Sequence, residues 1–117
     1  METITIWHNP RCSKSREANN YLEENNYKAD VYKYLDAEIS VDEVQDILKK
    51  LGMNARELMR TKEDVYRDLK LKDEMDEAKL IQAMAENPKL IERPIVVKGD
   101  KAVIGRPPER VVAFLKA

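Results

Sequence analysis

The fold of this chain is decided by residues 4–16, which run Ile4-Thr5-Ile6-Trp7-His8-Asn9-Pro10-Arg11-Cys12-Ser13-Lys14-Ser15-Arg16. The first four residues alternate between β-branched and bulky side chains, a pattern that predicts a short strand. A helix-like segment begins directly after Cys12, so its thiol is expected at a helix N-terminus among basic side chains. Helix-end N–H groups and nearby cations favour thiolate over thiol. The chain is therefore predicted to carry out thiol chemistry.

Composition narrows the class of protein. The chain has 117 residues, of which 43% are hydrophobic and 37% charged, with a net charge of −1. This predicts a single globular domain with a heavily charged surface. The absence of a basic excess gives no reason to expect nucleic acid or a membrane surface as partner. No apolar run is long enough for a membrane span, and the sequence enters a strand without a secretory leader.

Cysteine usage indicates the redox compartment. Cys12 is the only cysteine of the chain, so an internal disulfide is impossible and any disulfide must join Cys12 to another molecule. A single unpaired cysteine is typical of a reducing compartment, and a cytoplasmic location is expected.

The first third of the chain predicts a strand–helix–strand unit. The helical pattern runs from Ser13 to about Glu24 and stops at Asn25-Asn26. The residues from Ala29 to Tyr34 predict a second strand. Successive elements of this length form a right-handed crossover with parallel strands.

A helical block follows. Ser40 and Glu43 form a capping-box pattern ahead of apolar residues at helical spacing, and Gly52 is a good stop. Further helical segments are predicted from Asn54 to Arg60, near 65–69, and from Asp76 to Glu86. We expect these helices to form an insertion at about 40–86 within a single domain spanning 1–117.

The last third predicts two strands and a helix. Residues 94–98 and 101–104 flank Gly99-Asp100, a pattern typical of a β-hairpin with a tight turn. Pro107-Pro108 is an acceptable start for the closing helix. The predicted order, βαβ followed by a helical block and ββα, places the chain in the α/β class.

Four segments carry a resemblance to a known family. They are His8 to Arg16, Ala55 to Arg60, Asn87 to Val97, and Gly105 to Glu109. In this order they resemble the ArsC family of glutathione- or glutaredoxin-coupled arsenate reductases, whose relatives include Spx-type transcription regulators. The resemblance implies a thioredoxin-like fold, βαβ…ββα around a mixed four-stranded sheet, with the helical insertion described above.

The resemblance also implies a catalytic centre. The family signature of His, three residues, Cys, three residues and Arg falls on His8, Cys12 and Arg16. Cys12 would be the catalytic nucleophile, and His8 and Arg16 would support its thiolate, His8 by a hydrogen bond to the loop or as an imidazolium. An ordinary thiol of pKa near 8.5 is only about 3% thiolate at pH 7. A helix N-terminus supplies roughly 0.3–1 kcal/mol, so cations or further donors must contribute as well.

The substrate-binding residues come from distant segments. The three oxyanion-binding arginines of the family fall on Arg60, Arg93 and Arg106, and planar forked donors suit a tetrahedral oxyanion. Arg93 precedes Pro94 and Arg106 precedes Pro107, so both arginines start from restrained backbone. The thioredoxin-like layout implies that Pro94 is a cis proline facing Cys12.

The activity that this resemblance implies is reduction of arsenate to arsenite through a Cys12–arsenate adduct. Glutathione would be the co-substrate and glutaredoxin the resolving partner, with no bound cofactor or metal and a monomeric chain. An arsenate reductase of the phosphatase type is excluded, because its C-x5-R loop would need arginine where Ala18 stands.

Two alternatives stay open. One is a glutathione-dependent thiol oxidoreductase with a different substrate. The other is an Spx-like regulator that binds RNA polymerase. Such regulators usually carry a C-x-x-C pair, and here its second position is Ser15.

Overall fold

The computed structural model describes residues 4–36, 39–106 and 109–116. These residues form two compact units, one from Met1–Asp36 with Arg93–Ala117 and the other from Ala37–Glu92. The strands and helices, labelled in chain order, are β1 Ile4–Trp7, α1 Ser13–Glu24, β2 Asp30–Tyr32, α2 Val41–Leu51, α3 Ala55–Leu58, α4 Asp64–Asp68, α5 Glu77–Glu86, β3 Ile95–Lys98, β4 Lys101–Ile104 and α6 Glu109–Lys116. The helices predicted for about 40–86 are α2 to α5, all in the second unit.

The first unit is built on a mixed four-stranded sheet. Its strand order is β2-β1-β3-β4. β1 pairs with β2 in parallel, while β1 with β3 and β3 with β4 pair antiparallel. This is the mixed sheet that the sequence and the resemblance predicted, and the fold prediction is confirmed.

Side chains alternate along each strand, so successive residues lie on opposite faces of this sheet. Ile6 lies opposite Val96 in the register of β1 and β3. Both are fully buried in a cluster with residues of α1 and α6, namely Ala18, Leu22, Val111 and Leu115. Trp7 lies on the opposite face, where its ring packs edge-on against Tyr32 at 5.1 Å and tilted against Tyr34 at 5.7 Å. α1 is thus anchored beneath the sheet, directly after the end of β1.

β2 is shorter than predicted. It covers Asp30–Tyr32, whereas the sequence predicted a strand from Ala29 to Tyr34, and Tyr34 instead starts a short 3-10 helix. The reason is that β2 is an edge strand whose ladder ends with Trp7, the last residue of its partner β1. One further bond, from the His8 N–H to the Tyr32 carbonyl at 2.9 Å, closes the pairing where the chain leaves the sheet.

Gly105 allows close packing between β4 and the residues around it. A Cβ at this position would lie 2.9 Å from a Val111 methyl and 3.2 Å from the Pro94 ring. The Gly105 N–H donates to the Pro94 carbonyl at 2.9 Å. Arg106 therefore leaves the sheet from a backbone position fixed against the start of β3.

The hairpin of β3 and β4 turns at Gly99, whose φ of +63° suits glycine. This agrees with the predicted tight turn. The predicted helix start at Pro107-Pro108 lies outside the described residues. Among the helices that the structure describes, none has the length and apolar character needed to cross a bilayer.

The second unit shows how local sequence sets its helix ends. The Ser40 side chain accepts the Glu43 N–H at 3.1 Å, and Gly52 ends α2 in the left-handed region at φ +69°. Both ends agree with the predicted cap and stop.

α3 ends at Leu58 rather than at the predicted Arg60. Met59 pairs with Ile91 in an isolated antiparallel bridge, so the chain becomes extended after one turn of helix. The Arg60 N–H donates to the Leu90 carbonyl at 2.7 Å, and the Glu92 N–H donates to the Leu58 carbonyl at 3.0 Å. Competing strand-like pairing therefore shortened the predicted helix.

Candidate active site

The loop between β1 and α1 is a β-turn that places Cys12 at the helix start. The Cys12 N–H donates to the Asn9 carbonyl at 3.0 Å, and Pro10 occupies the second turn position, where its fixed φ is favourable. The Asn9 side-chain oxygen accepts the Arg11 N–H at 3.0 Å, as asparagine at the first turn position often does. Turn and helix are consecutive, since the Arg16 N–H donates to the Cys12 carbonyl at 3.0 Å.

Cys12 is the N-cap residue of α1 and is partly exposed. Burial by itself raises the pKa of its thiol. The Ser15 N–H, the Arg93 side chain and the Lys14 N–H each lower the pKa, and together they outweigh burial. The net result is a pKa below the ordinary value of a cysteine, which is the predicted direction, although the cation that contributes is Arg93 and not a basic side chain of the local segment.

Two of the predicted arginines lie at this thiol. Arg106 directs Nη2 to Cys12 Sγ at 3.6 Å and donates from Nε to the Arg93 carbonyl at 2.7 Å. The Arg93 side chain lowers the Cys12 pKa through a hydrogen bond and its positive charge. The Arg93–Pro94 peptide bond is cis, the geometry that the resemblance implies. Two forked cations therefore lie near the Cys12 sulfur, which itself stands at the N-terminus of α1.

His8 contacts the loop. It is buried, and its Nδ1 lies 2.7 Å from Ser15 Oγ. Burial lowers the pKa of His8, and the positive charges of Lys33 and Arg16 lower it further. The ring is therefore expected to be neutral at pH 7, which favours the predicted loop hydrogen bond over the predicted imidazolium.

Arg16 also holds the loop. Its Nη1 donates to the Pro10 carbonyl at 2.8 Å, at an exposed position. Arg16 thus contacts the turn that carries Cys12, and a direct effect of Arg16 on the thiolate stays a prediction.

Ser15 is a residue of the site for which the sequence analysis predicted no contact. It is fully buried, and its Oγ accepts the Asn9 N–H at 3.0 Å besides contacting His8. The signal in the sequence is a small polar residue in the first turn of a helix, where serine often bonds to backbone. That signal does not reveal which loop atoms the hydroxyl contacts.

Arg60 belongs to the second unit. Its Nε donates to Glu63 at 3.1 Å and its Nη1 donates to Glu92 at 3.0 Å, so two carboxylates compensate its charge. All three side chains are about one quarter exposed. The role of Arg60 toward an oxyanion stays a prediction.

Alkylation of Cys12 is expected to follow the lowered pKa. The rate of reaction with iodoacetamide follows the thiolate fraction, so its midpoint should lie at a lower pH in the folded protein than for an ordinary cysteine. The same chain unfolded in denaturant is the matched control, and there the midpoint should return to about 8.5. Equal midpoints in the two states would contradict an activated thiolate.

Fold and site together define a thioredoxin-like protein with a cysteine of lowered thiol pKa at a helix N-terminus and arginines beside the sulfur. The family model described as "ArsC family" matches residues 7–114. The chain therefore belongs to the ArsC family.

Individual relatives agree with this assignment. The chain is 57% identical over 114 residues to the Escherichia coli protein YfgD, named an uncharacterized protein, covering 96% of each chain. It is 48% identical over 117 residues to the arsenate reductase of Neisseria meningitidis serogroup B, covering 98% of this chain and all of the relative. The solved structure of an arsenate reductase from Vibrio cholerae matches with a TM-score of 0.91 and 46% identity, covering 96% of this chain and 97% of that one.

Proposed function

We propose that this protein is a cytoplasmic arsenate reductase that uses glutathione and glutaredoxin. The observation that carries the proposal is the Cys12 thiol of lowered pKa with the Arg93 and Arg106 side chains beside it. Relatives named arsenate reductase, at 47–48% identity over nearly the whole chain, support arsenate as the substrate. The 37% of charged residues and the single cysteine support a reducing cytoplasmic setting.

In the first step the Cys12 thiolate attacks the arsenic of bound arsenate. A sulfur–arsenic bond forms, and an arsenic–oxygen bond breaks as hydroxide leaves and is protonated to water. Arg93, Arg106 and the N–H groups of Lys14 and Ser15 would stabilise the negative charge of the oxyanion and its adduct. We assign Arg60 to the same anion as a third ligand, on the resemblance alone.

In the second step glutathione supplies electrons. Its sulfur bonds to Cys12 Sγ, the electron pair of the sulfur–arsenic bond passes to arsenic, and arsenite leaves. Arsenic gains two electrons, and the two sulfurs together lose two. Because Cys12 is the only cysteine, an outside thiol must break the resulting mixed disulfide, and glutaredoxin is the proposed agent. The thiolate of Cys12 is then restored.

A coupled assay tests the proposal. Purified protein is mixed with arsenate, glutathione, glutaredoxin, glutathione reductase and NADPH, and NADPH oxidation is followed. We expect oxidation that depends on arsenate and falls to background when glutathione or glutaredoxin is left out. If no arsenate-dependent oxidation occurs while Cys12 is still alkylated at a lower pH than in the unfolded chain, arsenate is not the substrate. Glutathione bound to Cys12 in that case would favour a thiol oxidoreductase with another substrate.

A further inference from the structure

The Ser15 side chain contacts the start of the loop that carries Cys12, and the Ser15 backbone lies in the first turn of α1, where that loop ends. Its side chain is fully buried, and Oγ lies 3.0 Å from the Asn9 nitrogen and 2.7 Å from His8 Nδ1. Its backbone N–H is one of the groups that lower the pKa of Cys12. A single residue therefore contacts the start of the loop through its side chain and affects the pKa of the Cys12 thiol through its backbone.

The contacts of Ser15 resemble those of a capping box, with one difference in the N–H group that the side chain reaches. At a helix start, the side chain of the cap residue is placed to accept N–H groups from the second and third helical residues. Here the cap residue is Cys12, and those two residues are Lys14 and Ser15. The Cys12 side chain makes no capping hydrogen bond, but both N–H groups lower the pKa of its thiol. In a capping box the third residue reaches back to the cap residue itself. Ser15 instead reaches three residues further, to the N–H of Asn9.

The Asn9 N–H donates to Ser15 Oγ. The Ser15 hydroxyl keeps its own proton and can donate it to His8 Nδ1 when the histidine carries its proton on Nε2. This order fits a neutral His8, whose Nδ1 is an acceptor. All three residues are buried, so removing the hydroxyl would leave a buried N–H and a buried ring nitrogen without their present partner.

We propose that Ser15 is a positioning residue for the nucleophile. Its hydroxyl fixes the Asn9–Cys12 turn against the first turn of α1 and so holds Cys12 at the N-terminus of that helix. The other groups acting on the thiolate are the side chains of Arg93 and Arg106, which come from the segments flanking β3 and β4. The consequence for arsenate turnover rests on the proposed function, whereas the consequence for the thiol does not.

This role also accounts for serine at a position where related proteins can carry a second cysteine. The Oγ of Ser15 contacts Asn9 and His8, so the side chain at position 15 stabilises the loop of this chain. A serine there stabilises the turn with a stronger donor and acceptor than a thiol would provide.

The test measures the Cys12 pKa from the pH dependence of alkylation, with no arsenate present. Ser15→Ala is expected to raise the pKa by about half a unit or more, because the helix-end N–H groups lose their alignment. Ser15→Thr keeps the hydroxyl and should retain most of the shift. Ser13→Ala is the matched control, since it removes an exposed hydroxyl from the same helical turn and should leave the pKa unchanged.

A folded Ser15→Ala variant with the wild-type Cys12 pKa would overturn the proposal. If Ser15→Ala does not fold, hydrogen exchange of the Asn9 amide in the wild-type protein decides instead. Slow exchange supports the bond to Ser15, and exchange at the rate of an exposed amide overturns it.

In the coupled assay, Ser15→Ala should lower kcat severalfold with little change in KM for arsenate. A raised pKa without arsenate turnover in the wild type would refute the proposed substrate and leave the positioning role intact.

Discussion

Cys12→Ser is expected to abolish arsenate-dependent NADPH oxidation. A serine hydroxyl is protonated at pH 7, so the surrounding N–H groups and arginines have no anion to stabilise and no nucleophile remains. Loss of the nucleophile from a site that depends on it should cost at least about a thousandfold in turnover. The measurement is the coupled assay with wild type and variant at equal concentration.

The same substitution should leave the fold in place. Cys12 is partly exposed at a helix cap, and serine is a favoured cap residue, so thermal unfolding is expected near the wild-type temperature. Loss of activity in a folded variant then reports chemistry. A folded Cys12→Ser protein that keeps more than about a tenth of the activity would mean that another group attacks arsenate.

Arg106→Ala should have the second largest effect. The guanidinium of Arg106 lies at Cys12 Sγ and also donates to the Arg93 carbonyl, so its removal takes away one cation and loosens the segment that carries the other. Removing one preorganised donor for a developing anion typically costs about 100- to 1000-fold in kcat. The KM for arsenate should rise as well, and Arg93→Ala should behave similarly.

Two comparisons sharpen this experiment. Arg106→Lys keeps the charge but loses the forked donor, so only partial activity is expected. Arg67→Ala is the matched control, because Arg67 is an exposed arginine that pairs at long distance with Asp64 at 3.4 Å and Asp68 at 4.0 Å. Near-normal activity in both Arg93→Ala and Arg106→Ala would show that the oxyanion assignment is wrong.

The sequence predicted best those helix ends that are determined by neighbouring residues. The cap at Ser40, the stop at Gly52 and the bounds of α1 follow from rules that act within one or two helical turns. The ends of β2 and α3 were misplaced because a partner elsewhere in the chain sets them: Trp7 ends the ladder of β2, and Ile91 draws Met59 out of α3.

The same distinction applies to the site. The position of Cys12 at a helix N-terminus could be predicted from its own segment, but the cation that lowers the pKa of its thiol is Arg93, from a distant segment, and none of the neighbouring basic side chains. Arg106 lies 94 residues further along the chain and could be selected only through the family resemblance. The proposed positioning role of Ser15 could not be predicted. It depends on buried contacts with Asn9 and His8 that the pattern of polar and apolar residues does not reveal.

The first unit joins the two ends of the chain, and this has a consequence for the protein during its synthesis. β1, which leads to Cys12, pairs with β3, and β3 exists only after residue 94 has been made. Contacts of such long separation in sequence form late, because the intervening chain must first lose its freedom. A growing chain therefore carries an ordinary, weakly nucleophilic thiol with neither Arg93 nor Arg106 beside it. The contribution of Arg93 and Arg106 to the reactivity of Cys12 is therefore expected only after the β1–β3 pairing has formed.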